Sequence, residues 1–137
     1  MTLRCMLDSS TIGNLVRNDA NVARRIANVD MASLCISSIV EGEILYGLAK
    51  RPEARRLALV MKEFLKRVES VPWNSKAAGH YGELRARMEK RGQALSPLDT
   101  LIAAHALSLN LTLVTCDKAF QSVEGLHVED WTKGAAE

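Results

Sequence analysis

Short apolar runs alternating with longer stretches of helical period constrain this chain more than any other feature. The runs are "LRCML" (3–7), "SLCIS" (33–37), "VESVP" (68–72), "LTLVT" (111–115) and "LHVEDW" (126–131), the third and fifth being the less apolar. Each reads as a short strand. In "EARRLALVMKEFLKRVES" (53–70) the apolar residues Leu57, Met61, Phe64, Leu65 and Val68 recur at i, i+4, i+7, i+8 and i+11, which predicts a helix. "SKAAGHYGELRARMEKRG" (75–92) reads as another, with Gly92 as its stop. "SPLDTLIAAHALSLN" (96–110) places Pro97 at the first helical position after Ser96 and Asn110 where a left-handed residue ends a helix. Its buried face is expected to be Leu98, Leu101, Ile102, Ala106 and Leu109. Strands alternating with helices in this way argue for an α/β fold, a mostly parallel sheet with helices on both faces.

At 137 residues the chain is expected to form one domain over residues 1–132, with 133–137 as a loose tail. Hydrophobic residues make up 47%, as in a globular protein rather than a disordered one. No apolar run approaches the ~20 residues of a membrane span, and "MTLRCMLD" meets an acid too early for a signal peptide, so a cytoplasmic location is expected. Cys5, Cys35 and Cys116 are an odd number without a CxxC pair, which argues against a disulfide framework or a thiolate metal site. The formal charge of +2 hides clustering. Lys50, Arg51, Arg55 and Arg56 form one basic group, Lys62, Lys66 and Arg67 a second, and Arg85, Arg87, Lys90 and Arg91 a third. Each group alone is explained by a solvated helix face. Basic surface around an acidic pocket is also what a nuclease needs to attract phosphates.

Open parallel sheets bind ligands beyond the carboxyl ends of their strands. Four acids fall there: Asp8 after the first strand, Glu43 early in the helix after the second, Asp99 in the first turn of "SPLD", and Asp117 after the fourth strand. Each has a structural reading. Asp8, Ser9 or Ser10 can cap the helix that follows. Asp99 sits at capping-box spacing from Ser96, and Asp117 can open the turn before Phe120. "SIVE" (38–41) has the same box spacing, which accounts for Glu41 and leaves Glu43 without that role. Carboxylates gathered at one edge repel one another and raise each other's pKa values, a situation a divalent cation relieves. Oxygen ligands without His or Cys favour Mg²⁺ or Mn²⁺ over zinc. Such an ion binds phosphate oxygens and activates a water for attack on phosphorus. Ser9, Ser10 and Thr115 are placed to orient the carboxylates from behind.

With "MLDSS", "ISSIVEGEILYG", "SPLDTLIAAHA", "LVTCDKAF" and "VEDW" in this order and spacing, the chain resembles the PIN-domain family, in particular the VapC toxins of bacterial type II toxin–antitoxin modules. The resemblance implies a three-layer α/β/α domain, usually a homodimer. It also implies Mg²⁺- or Mn²⁺-dependent endoribonuclease activity that leaves a 3′-hydroxyl and a 5′-phosphate and so inhibits translation. The partners implied are an RNA such as tRNA and a cognate VapB-like antitoxin, with operator DNA reached only through that antitoxin. Position by position, the family's acids fall on Asp8, Glu43, Asp99 and, at the more variable fourth place, Asp117, while Thr115 matches the threonine before that acid. Where the family commonly begins Asp-Thr-Asn, this chain has Asp8-Ser9-Ser10; Ser9 keeps the hydroxyl, but Ser10 lacks the amide. No histidine is required, so His80, His105 and His127 read as structural. Aromatics are only 4%, which favours phosphate and shape recognition over base stacking, with Arg85, Arg87, Lys90 and Arg91 as the leading contacts.

Other phosphate-handling folds fit poorly. A receiver domain wants an acceptor Asp after the third strand, where this chain has "VPW", and a haloacid-dehalogenase-type phosphatase wants Asp-x-Asp, where Ser10 stands. The competing class is non-enzymatic: a PIN-like binding module acting with a DNA-binding, antitoxin-like partner in transcriptional regulation.

Overall fold

The computed structural model describes residues 2–134. Strands β1 (Cys5–Leu7), β2 (Leu34–Ser37), β3 (Glu69–Val71), β4 (Thr112–Val114) and β5 (Val128–Glu129) form one sheet in the order β3-β2-β1-β4-β5. Every neighbouring pair is parallel, so the sheet is wholly rather than mostly parallel. Parallel neighbours require crossovers. Among the described residues these are made by helices α1 (Ser9–Val16), α2 (Ala20–Ala27), α3 (Ser38–Lys50), α4 (Arg55–Arg67), α5 (Ser75–Lys90) and α6 (Pro97–Leu109). The chain runs outward from β1 to β3, then returns to the other side of β1 with β4. Strand order therefore reverses between β1 and β4, where a crevice opens beyond their carboxyl ends.

Successive residues of a strand face opposite sides of the sheet. Met6 and Leu7, Cys35 and Ile36, and Leu113 and Val114 are all fully buried, so both faces of the central strands are covered, as a three-layer α/β/α arrangement demands. α6 is buried on nearly every side, through Ile102, Ala103, Ala104, His105 and Ala106. α4 is its opposite, with no fully buried residue.

The expected punctuation holds: Gly92 and Asn110 both adopt positive φ, at 68° and 55°, and Ser96 caps α6 by accepting the Asp99 N–H at 3.2 Å. Three expectations change. The helix over 53–70 is shorter, because residues 69–71 leave it to pair with residues 35–37 of β2. Leu98 is 45% exposed rather than buried, since the first turn of α6 projects past the core. α2 was not foreseen; its signal is local, Asp19 accepting the N–H groups of Asn21 and Val22 after Asn18 has turned the chain at φ 64°. The register sets Cys5 opposite Leu34 and Met6 opposite Cys35, so Cys5 and Cys35 face opposite sides of the sheet. Burial pushes the Cys35 thiol up to about 12. No helix among the described residues is long and apolar enough to cross a membrane. Of the expected tail, residues 135–137 lie outside the described residues.

Candidate active site

β1 ends at Leu7, and Asp8 turns the chain into α1. Asp8 holds the N-cap position of that helix, with extended backbone, yet its side chain makes no capping bond. Its carboxylate is used elsewhere. Thr115, just past β4, donates its hydroxyl to Asp8 Oδ2 at 2.8 Å, and Ser10 donates to the same oxygen at 3.2 Å. Both hydroxyl oxygens are themselves held by backbone: Ser10 accepts the Cys116 N–H at 3.2 Å and Thr115 accepts the Asp117 N–H at 3.0 Å. With N–H groups on their lone pairs, the two hydroxyls point their protons at Asp8. The ends of β1 and β4 are thus laced together around one carboxylate, which is itself only 4% exposed.

The α3 side is built differently. Ser37, not Ser38, caps this helix, accepting the Ile39 N–H at 3.1 Å, while the Ser38 hydroxyl accepts the Trp73 N–H. The capping box expected over 38–41 is therefore absent, and Glu41 instead accepts the Ser70 hydroxyl at 2.7 Å. That contact turns Glu41 toward β3. Glu43 points to the crevice beside Ser9, and its Oε1 is buried without any partner among the described residues. Burial pushes Glu43 above its ordinary pKa, and the charges of Asp8 and then Asp99 push it further. Asp99 is likewise raised by burial and by Asp8 and Asp117, against a lowering by the Ser96 hydroxyl. Asp117 is exposed and also structural, its Oδ1 accepting the Ala119 N–H at 3.0 Å to cap the short 3₁₀ turn Lys118–Ser122. The fold thus brings all four acids within electrostatic reach at the β1–β4 crevice.

Among the described residues, no three Asp, Glu, His or Cys side chains stand close enough together to close around an ion. The donor set nevertheless suits a hard cation: carboxylate oxygens only, one of them buried and unpartnered, and two acids raised by burial and by neighbouring acids.

The PIN domain model matches residues 5–126. The chain belongs to the PIN-domain family. Among its relatives, the tRNA(fMet)-specific endonuclease VapC of Salmonella typhimurium is 34% identical over 130 residues, covering 94% of this chain and 98% of the relative. DNA-bound VapBC from Salmonella typhimurium matches with a TM-score of 0.87 at 32% identity, over 95% of this chain and 99% of that one. VapBC2 from Rickettsia felis, bound to a DNA fragment from their promoter, matches with a TM-score of 0.86 at 28% identity, over 94% and 99%. The resemblance to the VapC branch, read from five short motifs, extends over nearly the whole fold.

Within this PIN domain, the departure at Ser10 is compensated in part, because the serine hydroxyl reaches both the Asp8 carboxylate and the Cys116 N–H. His105 is structural, as expected. Its Nδ1 lies 2.8 Å from the Ser37 hydroxyl, linking α6 to the cap of α3, and burial lowers its pKa so that it stays neutral. The α5 cations are partly engaged: Arg85 pairs with Glu89 at 3.0 Å and donates to the Tyr81 hydroxyl, and Arg91 pairs with Glu124 at 2.8 Å. Lys90 is exposed and Arg87 half-buried, and no ion pair is recorded for either among the described residues. Arg85 and Thr100 share a small cavity of about 160 Å³, so this end of α5 lies beside the turn that carries Asp99.

The sequence reading missed a groove of about 500 Å³ leading away from Glu43 and Ser9 along α3. Tyr46, Gly47 and Lys50 line it, at i+3, i+4 and i+7 from Glu43, and that spacing was the available signal.

Proposed function

We propose that this PIN-domain protein is the ribonuclease toxin of a type II toxin–antitoxin pair, an endonuclease that hydrolyses RNA phosphodiester bonds with Mg²⁺ or Mn²⁺ at the β1–β4 crevice. The observation that carries the reading is Glu43: a half-buried carboxylate with an unpartnered oxygen, raised by two neighbouring acids. A buried charge of this kind is tolerable when a cation is its partner. Asp8 and Asp99 would hold the ion, with Glu43 and Asp117 binding it directly or through water. Such an ion characteristically keeps several waters, which suits acids that do not close a cage of their own. When bound it supplies neutralisation of the phosphate and activation of the attacking water. The chain's own residues do the rest. Thr115 and Ser10 fix the direction of the Asp8 carboxylate, and the Ser9 hydroxyl opposes the upward push on Glu43.

Substrate and partner follow from the relatives' names: one is a tRNA-specific endonuclease, and the neighbours are VapBC complexes. A structured RNA such as tRNA is the substrate class this supports, with Arg85, Arg87, Lys90 and Arg91 as outer backbone contacts. A VapB-like antitoxin is the partner, and operator DNA is reached through it. A homodimer is the assembly the family resemblance supports. That two neighbours are DNA-bound favours, as a second reading, a regulatory module without catalysis.

The test is cleavage of total RNA and tRNA by antitoxin-free protein with Mg²⁺, Mn²⁺ or EDTA, beside folded Asp8→Asn and Asp99→Asn variants. Discrete metal-dependent cuts lost in both variants are expected. A well-folded wild type that cuts neither RNA while its complex still binds operator DNA would establish the regulatory reading instead.

A further inference from the structure

We propose that the groove along α3 seats the nucleotide next to the bond that is cut, with Tyr46 as the platform for its base and Lys50 and Arg51 as contacts to its far phosphate. The inference rests on the ribonuclease reading above and adds where the substrate strand lies.

The groove begins at the acids. Ser9, which follows Asp8, Glu43 itself, and Leu98, which precedes Asp99, all line its inner end. From there it follows one side of α3, since Glu43, Tyr46, Gly47 and Lys50 recur at i, i+3, i+4 and i+7. Seven residues at the helical rise carry the stripe about 10 Å, longer than the step between successive phosphates, and the flexible Lys50 side chain can reach back across the difference. Its volume lies in the range of small-ligand sites. At Gly47 even an added Cβ would meet nothing within 4 Å, so the middle of the groove is open.

Its chemistry changes along its length. At the inner end the carboxylates repel a phosphate unless a cation intervenes. At the outer end Lys50 and Arg51 attract one, and neither is engaged in an ion pair recorded among the described residues. Between them stands Tyr46, 63% exposed, with the Lys50 ammonium 4.7 Å from its ring centroid. A tyrosine held outward in this way contributes little to the core. One face of its ring is covered by a cation and the other is available to a base, the combination of stacking surface and positive charge that single strands require. The charge sequence of anion, aromatic, cation matches scissile phosphate with its metal, base, next phosphate. The low aromatic content of the whole chain does not weigh against this, because a single ring suffices when it stands at the site.

The probe is a short single-stranded oligoribonucleotide carrying 2-aminopurine, bound in an Asp99→Asn background that does not cut it. All three residues are exposed, so their variants are expected to fold, which circular dichroism checks. Tyr46→Ala is expected to weaken binding about tenfold and to relieve the quenching of 2-aminopurine, whereas Tyr46→Phe retains both. Lys50→Gln with Arg51→Gln is expected to reduce the salt slope of binding by about 0.7, one single-strand phosphate contact. With Asp99 restored, Tyr46→Ala raises KM for tRNA more than it lowers kcat. If Tyr46→Ala and the double variant bind the probe as their parent does, while wild type still cuts RNA, the groove is not the seat of the strand and the ribonuclease reading survives. Variants that hold RNA normally but no longer co-purify with the antitoxin overturn the proposal in favour of a peptide occupant. If wild type neither binds the probe nor cuts any RNA, both readings fall together.

Discussion

On the β1–β4 side of the acid cluster the polar groups are tied down, whereas on the α3 side they are left wanting partners. Asp8 takes two hydroxyls on one oxygen, and each hydroxyl is anchored by a backbone N–H from the chain just past β4. Glu43 has an oxygen buried with no hydrogen-bond partner among the described residues. Leaving a buried acceptor unsatisfied costs about 1–3 kcal/mol, and more when it is charged. One half of the site is therefore rigid before anything binds, and the other half holds the unmet electrostatic demand that a cation and a substrate phosphate can satisfy. The difference teaches which residues set geometry and which set affinity.

Breaking the tied half at its centre should have the largest effect. Asp8→Asn is expected to lower metal-dependent RNA cleavage by more than about a hundredfold, since even residues that merely support metal ligands are worth about 10–100-fold. Thr115→Val attacks the same half from behind, removing the donor to Asp8 and the acceptor of the Asp117 N–H. Activity should drop about 10–100-fold and stability by about 1–3 kcal/mol in urea melts, because the buried Asp8 carboxylate loses its shorter hydrogen bond. Thr115→Ser, which keeps the hydroxyl, should restore most of both. The unmet half should respond in the opposite sense. Glu43 and Asp99 are raised above their ordinary values of 4.5 and 3.8, so the folded state holds these protons more tightly than the unfolded chain does. Their contribution to stability is complete below the ordinary values and is lost as the pH rises through the raised ones. Metal-free protein should therefore lose thermal stability as the pH climbs out of the carboxylate range. Glu43→Gln should flatten that decline and raise the metal-free Tm at neutral pH by a few degrees while abolishing cleavage. Differential scanning fluorimetry in EDTA against Mg²⁺ checks this. The smallest effect is expected outside both halves: Ser70→Ala removes the partner of Glu41 and should cost about 1 kcal/mol without changing cleavage.

Much of this arrangement was legible before the structure. Asp8 directly follows β1 and Asp117 lies three residues past β4, so locating those strands located their acids, whereas Asp99 was marked by Ser96 and Pro97 opening its helix. Pro97, Asn110 and Gly92 behave as their backbone preferences dictate. The choice between Glu41 and Glu43 was not legible, since it turns on Ser70, a residue 29 positions away that reaches Glu41 only when β3 pairs with β2. Composition also says nothing of how surface groups are engaged. It counted four cations on α5 without showing that Arg85 and Arg91 are already paired, and it counted few aromatics without showing that Tyr46 stands beside the acids. Pairing of surface charges and exposure of a single ring are properties of packed helices, and helical spacing alone does not reveal the second helix.

The strand order has a consequence for the life of the chain during its synthesis. β1 precedes the other described strands in the chain, yet it occupies the middle of the sheet, and its neighbour β4 begins only at Thr112. The hydroxyl that fixes Asp8 comes from Thr115, 107 residues later. At about 5–20 residues per second, a nascent chain spends seconds on the ribosome with its foremost carboxylate made but without the strand that shapes it. The crevice closes only after β4 and Thr115 have been made, 107 residues after Asp8, so the molecule carries its own safety delay. A copy not yet extended past Thr115 lacks the geometry of the site, and the interval between translation and arming is written into the order of the strands.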